Sequence, residues 1–242
     1  MNTKTFFLLL FGFTLTYSSC IIDNDDFFGC ERGEGPIVER ELFLSDFSSI
    51  DLDIPADVCI SQGPEQIVVV EGERNIINEL DLDVDNGRWE IEFDDCVRDY
   101  EGLKIFITLP FYEQLRISGS GLIFSTDVIV ADDLDLRITG SGDIDVALDV
   151  EDLTTRITGS GEIRLEGIAE DAEHEINGSG DLEAFDLATE DTDIVIRGSG
   201  DAEVLVADRL DVRITGSGDV FFRGNPRLDI DITGSGDVID AN

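Results

Sequence analysis

The sequence predicts an all-β fold: a parallel β-solenoid, similar to a right-handed β-helix, whose N-terminal end is capped by an irregular β region. Three observations predict it. The tripeptide Gly-Ser-Gly occurs seven times, at a spacing of about 19 residues. Apolar and polar residues alternate on both sides of each tripeptide, which is the period of half-buried strands. Residues 117–242 lack the i, i+3, i+4 pattern of an amphipathic helix.

Residues 1–19 have the pattern of an export signal. Lys4 precedes an apolar run, and two serines stand directly before Cys20. The run is too short to span a bilayer. The segment resembles a bacterial lipoprotein signal, which implies that Cys20 becomes lipidated. A secretory signal that is cleaved nearby is the alternative.

Residues 20–39 are predicted to form an acidic tether. Its start, Asp23-Asn24-Asp25-Asp26, resembles the surface-export tags of Bacteroidetes-type lipoproteins. We therefore expect an outer-membrane lipoprotein exposed at the cell surface, with the periplasmic face as the alternative.

Residues 40–117 are predicted to form the N-terminal β region, which supplies the cap and the first coils. The alternating pattern recurs there without Gly-Ser-Gly. The predicted order is two strands, a turn at residues 62–64, a strand, a short helix at residues 73–80 and two further strands. A solenoid needs such a cap because an open end exposes strand edges to other chains.

The cysteines permit one disulfide. If Cys20 is lipidated, Cys30, Cys59 and Cys96 remain, and one of them is left as a free thiol. Strand alternation places Cys59 on an outward face. We expect a bridge between Cys59 and Cys96, with Cys30 as an alternative partner, because the spacing alone does not choose between them.

Residues 118–242 are predicted to form the repeat solenoid, with two strands in each repeat. Glycine on both sides of serine suits a corner that needs positive φ or that has no room for Cβ when copies stack. Identical corners favour a solenoid over an antiparallel meander, because one steric solution then serves every level. The seven structural corners begin at Gly119, Gly140, Gly159, Gly178, Gly198, Gly216 and Gly234.

An ordered series of motifs carries a family resemblance over about residues 40–240. The motifs are Ile50-Asp51-Leu52, Asp57-Val58-Cys59-Ile60-Ser61-Gln62-Gly63, Val69-Val70-Glu71-Gly72, Ile107-Thr108-Leu109-Pro110 and Leu115-Arg116-Ile117-Ser118-Gly119-Ser120-Gly121. In this combination the chain resembles the bacterial family described as putative auto-transporter adhesin, head GIN domain. The resemblance implies an exported, β-helix-like protein, commonly a lipoprotein, and it carries over no catalytic residues.

Charge and composition exclude several classes of function. There are 16 Lys+Arg against 55 Asp+Glu, which gives a net charge of −39. This balance excludes a nucleic-acid binder, because affinity for a phosphate backbone depends on clustered basic residues. Hydrophobic residues are 42% of the chain, so the chain can bury a core and carry its charge outside. The chain has a single histidine and few lysines, which disfavours catalytic mechanisms that depend on those side chains.

Charged residues recur at fixed positions beside the corners. In a solenoid the acids after the corner stack about 4.8 Å apart. We expect them to be solvated and to hydrogen-bond the corner backbone; a Ca²⁺ site is the alternative, and no other cofactor is expected. The acids are Asp143, Glu162, Asp181, Asp201, Asp219 and Asp237. The arginines three positions before the corner are expected to pair with the acid beyond it, at Arg116, Arg137, Arg156 and Arg213.

The candidates for catalysis are weak. The corner serines have no base nearby, and His174 lies among carboxylates, where we expect it to be exposed. We predict a non-catalytic, adhesin-like or scaffold protein that binds an unidentified protein or glycan.

Three further expectations remain open. A glycan-active β-helix enzyme, a polysaccharide lyase or hydrolase, is the first alternative function, and its sugar platforms would be Trp89, Tyr100 and Tyr112. A Ca²⁺-dependent surface structural protein is the second. The C-terminal end of the stack has only Asp237 and Asp240 to block its edge, so an end-to-end homodimer is also expected.

Overall fold

The structure, a computed structural model, describes residues 29–242. The expected signal, the lipidation site Cys20 and the start of the tether lie outside the described residues. The first half contains β1 (Glu31–Arg32), β2 (Ile37–Leu42), β3 (Ser49–Leu52), β4 (Asp57–Gln62), β5 (Ile67–Glu73), α1 (Arg74–Asn78), β6 (Val84–Asp85), β7 (Arg88–Ile91), β8 (Val97–Arg98) and β9 (Lys104–Leu109). The second half contains β10 (Gln114–Gly119), β11 (Leu122–Ser125), β12 (Ile129–Gly140), β13 (Asp143–Gly159), β14 (Glu162–Gly178), β15 (Asp181–Gly198), β16 (Ala202–Gly216), β17 (Val220–Gly224), β18 (Arg227–Gly234) and β19 (Val238–Asp240). Within residues 29–242 no helix has the length and apolarity to cross a membrane.

The second half is a parallel β-solenoid, and the fold has about 7 turns in all, as the repeat predicted. Each strand from β12 to β16 pairs in parallel with the next. The register stacks Gly140 on Gly159 and Gly159 on Gly178, so the corners lie directly above one another. A meander is excluded because its neighbouring strands would run in opposite directions.

Each coil has two corners, one at Gly-Ser-Gly and one half a repeat later. In β13, Ile144 and Val146 point into the core before the second corner, and Leu153 and Ile157 point inward after it. Residues 151–152 are both exposed, which breaks the alternation and marks the corner. The two strands predicted for each repeat are the two arms of one continuous strand, which stays paired with its neighbours around this bend.

The chain builds the first coil and then inserts a layer beneath it. β3 and β4 form this coil. Residues 63–113, which follow them, form the inserted layer and do not continue the solenoid upward. Within that segment β7 pairs in parallel with β3, and β9 pairs in parallel with β4. β10 and β11 then pair with the opposite edges of β3 and β4, and the solenoid continues from them.

The N-terminal end of the stack is capped, as predicted. β5 and β2 extend the inserted layer as antiparallel strands. Helix α1 lies within the segment predicted to be helical, and it buries Ile76 and Ile77 against the core. From the outer strand β2, Arg40 donates a hydrogen bond of 2.6 Å to the side chain of Asn78. Charged residues on an outermost strand discourage pairing with other chains.

The disulfide joins Cys30 to Cys96, with Cα atoms 4.5 Å apart. The expected bridge between Cys59 and Cys96 is wrong, because Cys59 is a free cysteine. Cys59 lies on β4, where its cross-strand neighbours are Phe106 and Phe124. Cys30 and Cys96 directly precede β1 and β8, which form a separate two-stranded sheet. The bridge therefore ties the start of the described chain to the cap.

Candidate functional site

The Gly-Ser-Gly corner stacks backbone directly on backbone. At Gly159, φ is 128°, and an added Cβ would lie 2.2 Å from the carbonyl oxygen of Gly140. At Gly161 an added Cβ would lie 2.2 Å from the carbonyl oxygen of Gly142. The backbone N–H of Ser160 donates a 2.8 Å hydrogen bond to the Gly140 carbonyl. Both glycine positions therefore exclude a side chain, and only the serine presents one to solvent.

The acids that follow the corner form a column along the solenoid. The backbone N–H of one acid donates to the carboxylate of the acid one coil below, at 2.7–3.2 Å, as seen for Glu162, Asp201, Asp219 and Asp237. Burial, with repulsion from Glu183, raises the pKa of the Glu162 carboxyl. These contacts have the backbone-bonding form expected of the column, and Ca²⁺ binding by it stays a prediction.

A compact group of carboxylates lies in the cap instead. One oxygen each from Asp53, Glu90 and Glu92 lies within 4.8 Å of the others. Hydrogen bonding with Asp53 holds the pKa of Glu90 above its usual value, and burial and repulsion from Glu92 add to the shift. We did not expect this group, because Asp53 is far in sequence from Glu90 and Glu92 and meets them through the pairing of β3 with β7. The sequence pattern that could have predicted this group is the acid-x-acid pattern on outward positions, which occurs both at the end of β3 and at the end of β7.

The arginines before the corner pair with acids on their own side of it. Arg116 lies 3.0 Å from Asp51, and Arg156 lies 2.8 Å from Glu175. In both cases the acid is the residue directly opposite on the neighbouring strand. The expected pairing with the acid beyond the corner is therefore wrong for these arginines, because the acid at the paired position of the neighbouring strand is closer. Burial raises the pKa of Asp51 although Arg116 opposes the shift.

The second corner carries an acidic ridge that we did not expect. Asp133, Asp152, Asp171 and Asp191 are stacked in register on successive coils, and Arg209 occupies the same column above them. The residues that precede the five are also acidic: Asp132, Glu151, Glu170, Glu190 and Asp208. We call these nine acids the second-corner ridge. A hollow of about 450 Å³ lies beside it. The sequence pattern that could have predicted this ridge is the pair of consecutive acids between the two alternating runs of each repeat.

His174 lies in the core, so the expectation that it is exposed is wrong. The alternation along β14 turns it inward, where it is 2% exposed, between Thr155 and Ile194 on the neighbouring coils. Its Nδ1 atom lies 2.8 Å from the Thr155 hydroxyl, and its Nε2 atom has no hydrogen-bond partner among the described residues. Burial lowers the pKa of His174 to about 4. The imidazole is therefore neutral at pH 7 and removed from any chemistry at the surface.

The aromatic side chains proposed as sugar platforms are largely structural. Trp89 and Tyr112 are 0% and 1% exposed. The indole N–H of Trp89 donates to the carbonyl of Asp81 at 3.0 Å, and the Tyr112 hydroxyl donates to the carbonyl of Ser61 at 2.8 Å. Of the three, Tyr100 alone keeps a partly exposed ring. A sugar-stacking face built from these residues is therefore limited to Tyr100.

An apolar groove of about 440 Å³ lies beside the first coils. Its volume falls in the range of sites for small ligands. Phe111 at its rim is 55% exposed, whereas Phe47 is 6% exposed and its ring centroid lies 5.7 Å from that of Trp89, with the rings tilted by 57°. The groove is lined by Asp46, Phe47, Ser48, Pro64, Glu65, Gln66, Gly87, Pro110 and Phe111.

Comparisons with known proteins agree with this architecture. The sequence model of the family described as putative auto-transporter adhesin, head GIN domain, matches residues 46–226. No curated protein matches the chain.

Solved structures share the fold. A putative adhesin from Bacteroides fragilis is 23% identical with a TM-score of 0.82, over 86% of this chain and 98% of that one. A putative lipid binding protein from Parabacteroides distasonis is 22% identical with a TM-score of 0.73, over 87% of this chain and 99% of that one. A putative adhesin from Parabacteroides merdae is 20% identical with a TM-score of 0.72, over 87% and 99%.

Proposed function

Because the chain belongs to the putative auto-transporter adhesin, head GIN domain family, we propose that it is an exported, adhesin-like protein of the cell envelope that binds its partner without catalysis. The observation that carries the proposal is the family match over a solenoid whose outer residues repeat in register from coil to coil. A partner that contacts several coils meets the same kind of side chain about every 4.8 Å. Many weak contacts can then act together along one surface.

We propose that the capped end of the solenoid lies toward the membrane. Lipid on Cys20 would anchor the chain, and the Cys30–Cys96 disulfide fixes the start of the folded part. This leaves a tether of about ten residues, shorter than the predicted 20–39, because β1 and the start of β2 lie within that range. Such a tether spans at most roughly 35 Å when extended. The cap is thereby held near the bilayer, and the acidic coils extend away from it.

Fractionation of cells that express the wild type and Cys20→Ser tests this anchor. We expect fatty-acid labelling and outer-membrane fractionation of the wild type, and loss of both in the variant. Cys59→Ser is the matched control and should keep both. Protease added to intact cells should digest the protein if it is at the surface. Labelling that survives Cys20→Ser, or full protection from protease, would contradict the proposal.

The second-corner ridge is the surface that we propose for binding. Eight of its nine acids are exposed and Asp191 is half-buried. Arg209 limits its upper end by bonding Asp191 at 3.4 Å. Immobilised protein is incubated with host-matrix and bacterial-envelope extracts beside a triple variant, Asp152→Asn/Asp171→Asn/Asp191→Asn. We expect saturable retention of a partner by the wild type and weaker retention by the variant. Saturable retention of no partner from any extract would overturn the adhesin role.

A glycan panel tests whether the protein acts without catalysis. The purified protein is incubated with polysaccharides, and new reducing ends and unsaturated products are measured. We expect neither product, since Trp89 and Tyr112 are buried and His174 is unavailable. Turnover that scales with protein concentration would establish the enzyme alternative instead.

Lipid binding in the apolar groove is a second candidate function. The groove is the observation that favours it, together with the similarity to a structure described as a putative lipid binding protein. A fluorescent fatty acid should bind the wild type with a raised emission, and Phe111→Asp should weaken that binding. Phe43→Asp changes another exposed ring, 86% exposed, outside the groove lining and serves as the control. Equal binding by the three proteins would reject the groove.

A further inference from the structure

The last long strand of the solenoid, β18, has no neighbour on its outer edge among the described residues. All eight of its residues are exposed. Leu228, Ile230 and Ile232 occupy inward positions, yet they are 46%, 42% and 37% exposed. The residues directly beneath them, Leu210, Val212 and Ile214, are at most 1% exposed. One additional strand on the outer edge of β18 would bury these three apolar residues, as β18 itself buries the three residues beneath them.

We propose that this strand pairs with β18 of a second copy of the chain, antiparallel and across a two-fold axis. A copy offers two ends for such pairing. Its N-terminal end is closed by β2 and α1. In a head-to-tail stack, β18 of one copy would therefore meet this cap and not an uncovered apolar strand of the other. The remaining arrangement is C-terminal end to C-terminal end, which is a closed, isologous contact.

Pairing is confined to β18, because the neighbouring short strand β19 is blocked. Asp240 lies above buried Phe222 in an inward column. A carboxylate at an inward position opposes a covering apolar layer. The side chain of Asn242 accepts a bond from the N–H of Gly224 and donates one to its carbonyl, each at 2.9 Å. These bonds occupy the backbone groups of Gly224 at the end of β17.

Charge complementarity and apolar contact together select the register. A two-fold axis at Asp229 places Arg227 opposite Asp231 of the second copy, twice, and Leu228 opposite its Ile230. An axis at Leu228 would also place Arg227 opposite an acid, Asp229, but it would leave Ile230 opposite Pro226. An axis at Ile230 would instead place Asp229 opposite Asp231 twice, with like charges directly facing. A shift of the second copy's strand by one residue would turn its inward apolar residues toward solvent. The first register has one like-charge pair, Asp229 with its copy, and Arg227 of the second copy lies diagonally beside each of these carboxylates.

The net charge of −39 opposes any association of two copies. Repulsion between distant charges is screened over about 10 Å at 0.1 M salt, whereas apolar burial at β18 is not weakened by salt. The dimer should therefore be stronger at 0.5 M NaCl than at 0.02 M. Static light scattering of the purified protein over a concentration series gives the mass at both salt concentrations. A monomeric mass at the highest concentration in 0.5 M NaCl overturns the proposal.

Substitutions test the strand itself. Ile230→Lys should yield a monomer with an unchanged circular dichroism spectrum, since Ile230 is already 42% exposed in the single chain. Ile168→Lys, at a residue 56% exposed on β14, is the matched control and should remain dimeric. Arg227→Asp should weaken the dimer, and adding Asp231→Arg should restore it. A dimer that persists in Ile230→Lys, or that the charge swap does not restore, forms through another surface and contradicts the proposal.

A cross-link measures the register without relying on affinity. In a Cys59→Ser background, Asp229→Cys places two thiols across the two-fold axis, where paired Cα atoms in an antiparallel sheet lie about 4.5–5.5 Å apart. Mild oxidation should convert most of this variant into a disulfide-linked dimer. Thr233→Cys, on the same face and strand but away from the axis, should remain mainly uncross-linked. Equal cross-linking of the two variants would exclude the register.

Discussion

The Nδ1 atom of His174 lies 2.8 Å from the hydroxyl oxygen of Thr155, one coil below it in the core of the solenoid. Small residues, Ala169 and Ala172, occupy other inward positions of the same coil. The imidazole occupies an inward position that Ile194 fills on the coil above and Thr155 fills on the coil below. A polar pair is thereby built into an otherwise apolar stack, and its ring can be protonated only at a cost to folding.

We predict that His174 makes the protein less stable in mild acid. Its pKa is about 4 in the folded chain and about 6.5 when unfolded. As pH falls below 6.5 the unfolded state binds a proton that the folded state excludes, so stability declines until about pH 4 and then levels off. A shift of this size corresponds to roughly 3 kcal/mol. Urea unfolding at intervals between pH 7 and pH 4 measures it.

His174→Gln is the control for that titration, because Gln keeps a hydrogen-bonding side chain near Thr155 and does not titrate. The many carboxylates change their charge in both proteins, so the difference between the two curves isolates the imidazole. We expect the wild type to lose more stability than the variant between pH 6.5 and pH 4. Parallel curves would show that His174 is not the source.

Gly159→Ala is predicted to destabilise the solenoid more than Gly35→Ala. Both glycines have positive φ, but an added Cβ at Gly159 would lie 2.2 Å from the Gly140 carbonyl oxygen, whereas nothing lies within 4 Å at Gly35. Each change costs about 1 kcal/mol for the backbone conformation, and the clash at Gly159 should add about 2 kcal/mol or more. Urea unfolding of the two variants gives the comparison, and equal losses would reject the steric explanation of the corner.

The repeat made the solenoid predictable because its period sets the strand register directly. Every Gly-Ser-Gly corner stacks on the previous one, and Asp143 and Glu162 meet as their spacing requires. Local alternation was also sufficient to turn Val58 and Ile60 inward and Cys59 outward. Short-range pattern therefore explains the coils and the column of acids.

The cap was less predictable because its contacts join segments that do not repeat. One strand neighbour of Cys59, Phe106, lies in residues 63–113, which return beneath the first coil, and alternation does not say which strands become neighbours. The meeting of Asp53 with Glu90 has the same origin. His174 was different: alternation along its strand pointed inward, and the acids beside it led us to the wrong expectation.

The Cys30–Cys96 disulfide is predicted to stabilise the cap. The two residues are 66 positions apart, and closing a loop of that length in the unfolded chain corresponds to about 4 kcal/mol by chain entropy, which measured values often do not reach. Cys30→Ser/Cys96→Ser should therefore lower the free energy of unfolding by about 2–4 kcal/mol. Cys59→Ser is the control and should change it little. A double variant as stable as the wild type, compared by urea unfolding, would show that the bridge contributes nothing.

Glu90→Gln is predicted to stabilise the protein slightly at pH 7. The pKa of Glu90 is raised by hydrogen bonding with Asp53 and by repulsion from Glu92, so the folded state binds the proton more tightly than the unfolded state. Its ionised carboxylate therefore weakens the fold above the folded pKa, and the penalty fades as pH falls below it. The gain should be less than about 1 kcal/mol, because the site is exposed and screened by salt.

Glu166→Gln, at an exposed position on β14, is the control for the change of one carboxylate. Thermal unfolding at pH 7 should rank Glu90→Gln above the wild type and leave Glu166→Gln close to it. The advantage of Glu90→Gln should shrink in 0.5 M NaCl and at low pH. An advantage that is independent of both salt and pH would have a cause other than carboxylate repulsion.

Deleting one whole coil is predicted to leave the rest of the solenoid folded. Removal of residues 159–177 joins Thr158 to Gly178, which is the residue in register with Gly159. The corner and all inward positions above it are then preserved. Deletion of residues 163–167 removes an odd number of positions from one arm of β14, which turns its remaining inward residues toward solvent. We expect cooperative urea unfolding with a smaller m-value for the first deletion, since less surface is exposed, and loss of cooperative unfolding for the second. Equal damage from both deletions would mean that the coils are not interchangeable units.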